Sequence, residues 1–116
     1  VLEVIDGDSL RVRAHIWLGM TVETIVRLNG LDTPELRGKC ESEKAKAAAA
    51  RAYLRRLTLA QKITLSDITA DKYGGRVNAV VKVGTVDVTS RMISEGHARP
   101  YQGGQRQGWC APPRMR

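Results

Sequence analysis

The sequence predicts a mainly β fold with helices, a small five-stranded Greek-key barrel. Three observations predict it. The first third alternates apolar and polar residues in short runs parted by Asp-Gly and Asn-Gly turns, the period of half-buried strands. An Ala-rich helical stretch then interrupts the strands, and shorter apolar runs follow it. At 116 residues the chain can hold one compact domain with its own core but not two.

Val1 to Ile5 is a short apolar run ending in the turn Asp6-Gly7-Asp8. From Ser9 to Ile16, the residues Leu10, Val12, Ala14 and Ile16 share one face, with Arg11, Arg13 and His15 on the other. That alternation predicts a half-buried strand. Gly19 ends it, and Thr21 to Leu28 alternates again through Val22, Thr24 and Val26 before the turn Asn29-Gly30. Asp32-Thr33-Pro34-Glu35 breaks the pattern, with Pro34 keeping the segment out of helical conformation. A helix is expected from Glu41 to Leu57. Its alanines give it high propensity. Its polar side carries Glu41, Glu43, Lys44, Lys46, Arg51, Arg55 and Arg56, acid early and base late, as the helix dipole prefers.

Lys62 to Ile68 reads as a strand, Asp71-Lys72-Tyr73-Gly74-Gly75 as a hairpin turn, and Arg76 to Val83 as the next strand. Gly84 turns the chain into Val86–Val88. A short helix over Thr89 to Glu95 stops at Gly96. With no Phe, the core rests on Val, Ile, Leu and Ala. Three strands, a helix, two or three short strands and a short helix fit a Greek-key barrel of the OB type.

The formal net charge is +7 and the pI about 9.9, which favours a polyanionic partner, nucleic acid first. No apolar run is long enough to span a membrane. Val1 is not a natural start, which leaves room for a lost export signal. Cys40 and Cys110 are far apart and lack zinc-type spacing. They read either as two free thiols or as one long-range disulfide, the latter suiting an oxidising compartment.

Two clusters carry chemistry. In Asp6-Gly7-Asp8-Ser9 the carboxylates at i and i+2 can point the same way on an extended chain and reach one cation; Gly7 permits the tight turn. In Leu31-Asp32-Thr33-Pro34-Glu35 two more carboxylates flank the hydroxyl and carbonyl of Thr33. Alone, the first is an ordinary hairpin turn and the second a helix-start loop. Arg27 should point away from Val26 and Leu28, and Arg76 opens a strand. An Arg fork matches two phosphate oxygens in a way Lys does not. Hard oxygen ligands suit Ca²⁺. Two arginines would stabilise charge building on phosphorus, and Glu35 could orient or deprotonate water. These are the parts of phosphodiester hydrolysis.

The segments Val4–Ser9, Val26–Glu35 and Asp71–Arg76, in that order, resemble the staphylococcal nuclease homologues. Gly96-His97-Ala98-Arg99-Pro100-Tyr101 is also similar to that family. The resemblance runs from Val1 to Cys110, which it makes a nuclease-like OB-fold domain over 1–110 with a tail over 111–116. It implies Ca²⁺-dependent hydrolysis of DNA and RNA to 3′-phosphate ends, single strands preferred, by a monomer. Asp8 and Asp32 would be calcium ligands with the Thr33 carbonyl, and Asp6 a neighbour acting through water. Glu35 would be the general base, Arg27 and Arg76 the phosphate-binding arginines. Lys72, Tyr73 and Tyr101 would line the nucleotide site.

The chain departs from the pattern in four places, one of them the lack of a clear counterpart to the family's long loop near the site. Ser9 stands where Thr is usual. The turn reads Tyr-Gly-Gly-Arg rather than Tyr-Gly-Arg, so either Gly75 takes the arginine position or one residue is inserted and Arg76 still reaches the site; the strand pattern after Arg76 favours insertion. Trp109-Cys110-Ala111-Pro112-Pro113 replaces a third helix. A Cys40–Cys110 disulfide is the natural replacement for its stability. The compartment is not fixed by the sequence; the family's secreted members and the cysteines lean towards export. His15 reads as a surface residue, His97 as part of a helix cap, and Trp17 and Trp109 as core or lid packing. The competing reading is a non-catalytic OB module binding single-stranded nucleic acid. A protein-interaction barrel ranks behind it, since it has no use for the acidic residues.

Overall fold

The structure, a computed structural model, describes residues 1–70, 74–101 and 108–110. Its strands are β1 (Glu3–Asp6), β2 (Ser9–Trp17), β3 (Met20–Leu28), β4 (Leu31–Asp32), β5 (Thr64–Ala70), β6 (Arg76–Val83), β7 (Val86–Asp87) and β8 (Arg99–Pro100). The helices are α1 (Glu41–Thr58) and α2 (Val88–Ser94). The main sheet runs β1-β2-β3-β6-β5, with β7 on β6. β3 and β6 are parallel, and the other neighbours antiparallel. Five strands in that order, with the chain crossing over between β3 and β6, match the expected mainly β architecture with flanking helices.

Register explains which residues meet. Leu10 faces Val26 across β2–β3. Val26 and Leu28 lie beside Val77 and Ala79 of β6. Leu10, Val12, Val26, Leu28, Ala79 and Val81 form the inner face and are buried with Val4, Leu54, Val88 and Met92. Side chains of the opposite parity, Ser9 facing Arg27 and Ile25 beside Arg76, share the outer face. The two arginines of interest are thus on one face of adjacent strands.

Helix α1 packs on β1 through Ala47, Ala50 and Leu54, buried at helical spacing. The other alanines, 45, 48, 49 and 52, are exposed, so only part of the Ala-rich stretch faces the core. Glu43, expected on the polar side, is buried. Helix α2 ends as its sequence predicts. Gly96 takes a left-handed φ of 79°. Its N–H donates to the Ile93 carbonyl, and the His97 N–H donates to that of Met92, a Schellman closure.

Two further expectations are corrected, for Trp17 and for Gly7, and β5 carries a bulge that the sequence does not announce. The β2–β3 hairpin outruns the core, so Ile16, Trp17, Leu18, Met20 and Val22 are exposed, Trp17 at 74%. Trp17 is therefore neither core nor lid. In β5 the register shifts between Ser66 and Thr69, with Asp67 at a φ of 51°. That bulge leaves Ile68 exposed. Gly7 has no left-handed φ; what it supplies is space, since a Cβ there would lie 3.0 Å from the Ala50 Cβ and 3.3 Å from the Thr33 Cβ. The pair β4–β8 was not visible in the sequence; it sets Leu31 opposite Pro100 and Asp32 opposite Arg99.

Candidate active site

The β1–β2 turn, the end of β3, the segment after β4 and the start of β6 meet at one open cavity of about 390 Å³. Of the residues singled out above, Asp6, Asp8, Arg27, Thr33, Glu35 and Arg76 line it, joined by Ser9 and Arg37. Arg76, half-buried at the start of β6, reaches this cavity itself. Gly75 precedes it with a φ of 67°, a turn conformation that glycine tolerates.

Asp8 is the electrostatic centre. Its N–H donates to Asp6 Oδ1 at 3.2 Å, and its own Oδ1 accepts from Ser9 Oγ at 3.1 Å. Arg27 Nε stands 3.7 Å from Asp8 Oδ2. Burial, then the hydrogen bond and negative charge of Asp6, push the Asp8 carboxyl up from 3.8 to about 7; Arg27 and the Ser9 hydroxyl pull it back only in part.

Glu35 is exposed at the cavity, on a segment that the sequence leaves unexplained. The buried Glu43 holds that segment. Its Oε2 accepts the Glu35 N–H at 3.1 Å and its Oε1 accepts the Lys39 N–H at 3.1 Å. Between them Gly38 lies so close that a Cβ would stand 2.5 Å from Glu43 Cγ. Gly38 three residues after Glu35 was the one available hint of this contact. Arg37 was also missed; nothing in its spacing sets it apart from other surface arginines.

Asp32 is 3% exposed and does not line the cavity, although its neighbour Thr33 does. Its Oδ2 accepts the indole N–H of Trp109 at 3.0 Å. Tyr101 lies outside the lining; its backbone N–H donates to the Gly30 carbonyl at 2.9 Å. Lys72, Tyr73 and the tail 111–116 lie outside the described residues.

Cys40 and Cys110 form a disulfide. Cys40 also caps α1, its Sγ accepting the Glu43 N–H. Cys40, Glu43 and Cys110 bring potential ligand atoms together, but the sulfurs are bonded to each other and no thiolate is offered. The hard oxygens of Asp6, Asp8, Thr33 and Glu35 at the cavity, with Asp32 next to Thr33 in the chain, are a donor set that could hold a divalent cation, and crowded carboxylates are what such a cation would relieve.

Among protein families, the model described as staphylococcal nuclease homologue matches residues 25–109. The match takes in Arg27, Asp32, Thr33, Glu35, Arg76 and Trp109. No curated protein matches the chain.

Proposed function

The chain belongs to the staphylococcal nuclease homologue family, and on that premise we propose that it is a calcium-dependent endonuclease hydrolysing DNA and RNA to 3′-phosphate ends. The observation that carries this reading is the convergence of Asp8, Thr33, Glu35, Arg27 and Arg76 on one cavity. The basic balance of the chain suits a polyanionic substrate. No helix among the described residues is long and apolar enough to cross a membrane.

Asp8, Asp32 and the Thr33 carbonyl would hold the calcium, with Asp6 contributing through water. When bound, calcium supplies polarisation of a phosphate oxygen and screening of its charge. Arg27 and Arg76, on one face of adjacent strands, donate to the non-bridging oxygens, whose charge grows in the transition state. Glu35 accepts a proton from the attacking water. Water adds to phosphorus as the P–O5′ bond breaks, and the leaving oxygen takes up a proton. Glu43 and Gly38 keep the Glu35 backbone in place for that role. Lys72, Tyr73 and Tyr101 would bind the nucleotide. The reading takes the protein as a monomer that prefers single strands.

The test is incubation with denatured DNA, with calcium and with chelator, followed by analysis of the ends. Calcium-dependent cleavage leaving 3′-phosphates is the expected result. Salt-sensitive binding without cleavage would instead make the chain a non-catalytic single-strand-binding module.

A further inference from the structure

We propose that Trp109 is the positioning residue for Asp32, and that the Cys40–Cys110 disulfide is the latch that keeps Trp109 in place. The inference rests on the calcium-site reading of Asp32. A carboxylate can turn about its Cβ–Cγ bond and present either oxygen in many directions. The Trp109 indole N–H, 3.0 Å from Asp32 Oδ2, fixes that plane and so the direction of the other oxygen. An indole N–H is a donor only, so it meets Asp32 solely as an acceptor. Hydrogen-bond partners of ligating carboxylates orient them in this way.

Trp109 is itself held from several sides. The Arg99 guanidinium lies 3.8 Å from the indole centroid, and Arg99 Nη1 donates to the Gly108 carbonyl at 2.8 Å. Arg99 also stands opposite Asp32 in the β4–β8 pair, so the strand register sets the arginine that stacks on Trp109 across from the carboxylate. Lys46 Nζ donates to the Trp109 carbonyl at 3.2 Å. The next residue, Cys110, is bonded to Cys40 at the start of α1. The covalent tether is the one that solution conditions remove. A dithiol breaks it by exchange: Cys40 and Cys110 each leave as a thiol, and the dithiol, giving up two electrons and two protons, closes to a cyclic disulfide.

The test is calcium titration calorimetry on three samples: the oxidised wild type, the same protein reduced by a dithiol, and Trp109→Phe, which keeps the ring and the disulfide but removes the donor. Circular dichroism on each checks that the fold persists. Loss of the donor should weaken calcium binding about 10- to 100-fold. Reduction should move it the same way. In cleavage assays the calcium needed for half-maximal rate should rise, with KM for DNA at saturating calcium unchanged. Unchanged calcium affinity in W109F overturns the positioning role, and unchanged affinity on reduction overturns the latch. Failure of the untreated wild type to bind calcium or cleave DNA would strike the proposed function instead.

Discussion

Burial and the neighbouring Asp6 hold the Asp8 carboxyl protonated up to about pH 7, whereas the unfolded chain loses that proton near pH 3.8. Below both values the two states bind the proton equally. Between them the folded state holds a proton that the unfolded state has released, so stability of the calcium-free protein falls as pH rises through that window. Chemical denaturation of chelated protein at several pH values should show this slope, and Asp8→Asn should remove it. Glu35 and Arg27 line the cavity rather than the core, and the proposed function gives both a part in the chemistry. Glu35→Gln or Arg27→Ala should lower kcat by roughly 10²–10⁴-fold with the melting temperature nearly unchanged, read from initial rates and thermal unfolding. At this scale the sequence was most informative about motif residues. Asp8, Glu35, Arg27 and Arg76 have side chains whose chemistry can be read one residue at a time, and they sit at turns or strand ends that periodicity reveals. Glu43 and Trp109 were harder to read, because what they do depends on a partner distant in sequence or in the fold.

Individual elements show what local pattern can and cannot predict. Helix α1 was legible almost to the residue, since propensity, dipole-matched charge and apolar spacing all point the same way. The β2–β3 hairpin was legible as strands but not in its reach. Alternation persists through Ile16 and Val22 although both are exposed, and nothing local marks where the core ends. Trp17→Ser should accordingly change unfolding free energy by less than about 0.5 kcal/mol. The two-residue strands β4 and β8 are too short to show any period; they exist because residues far apart in sequence pair. The segment between Glu35 and Cys40 gives the opposite prediction to Trp17. Glu43→Gln offers one acceptor where the Glu35 and Lys39 N–H groups need two. It should cost about 1–3 kcal/mol by denaturant unfolding and lower kcat as Glu35 loses its anchor.

For the whole molecule, the disulfide ties the start of α1 to residue 110 across a separation of 70 positions. Replacing both cysteines by serine should cost about 4 kcal/mol by urea unfolding, since the bond closes a long loop in the unfolded chain. Such a bond belongs to oxidising surroundings. The same strap brings Trp109 onto Asp32, so global stability and the site share one covalent link. The fold thus presents Arg27 and Arg76 on one face of adjacent strands and a carboxylate-lined cavity at the strand ends. The most direct measurement is a crystal structure grown with calcium and a nucleotide. The account predicts a cation about 2.3–2.6 Å from oxygens of Asp8, Asp32 and Thr33, with Arg27 and Arg76 on the phosphate. A cation seated away from these residues, or none in that cavity, would contradict it.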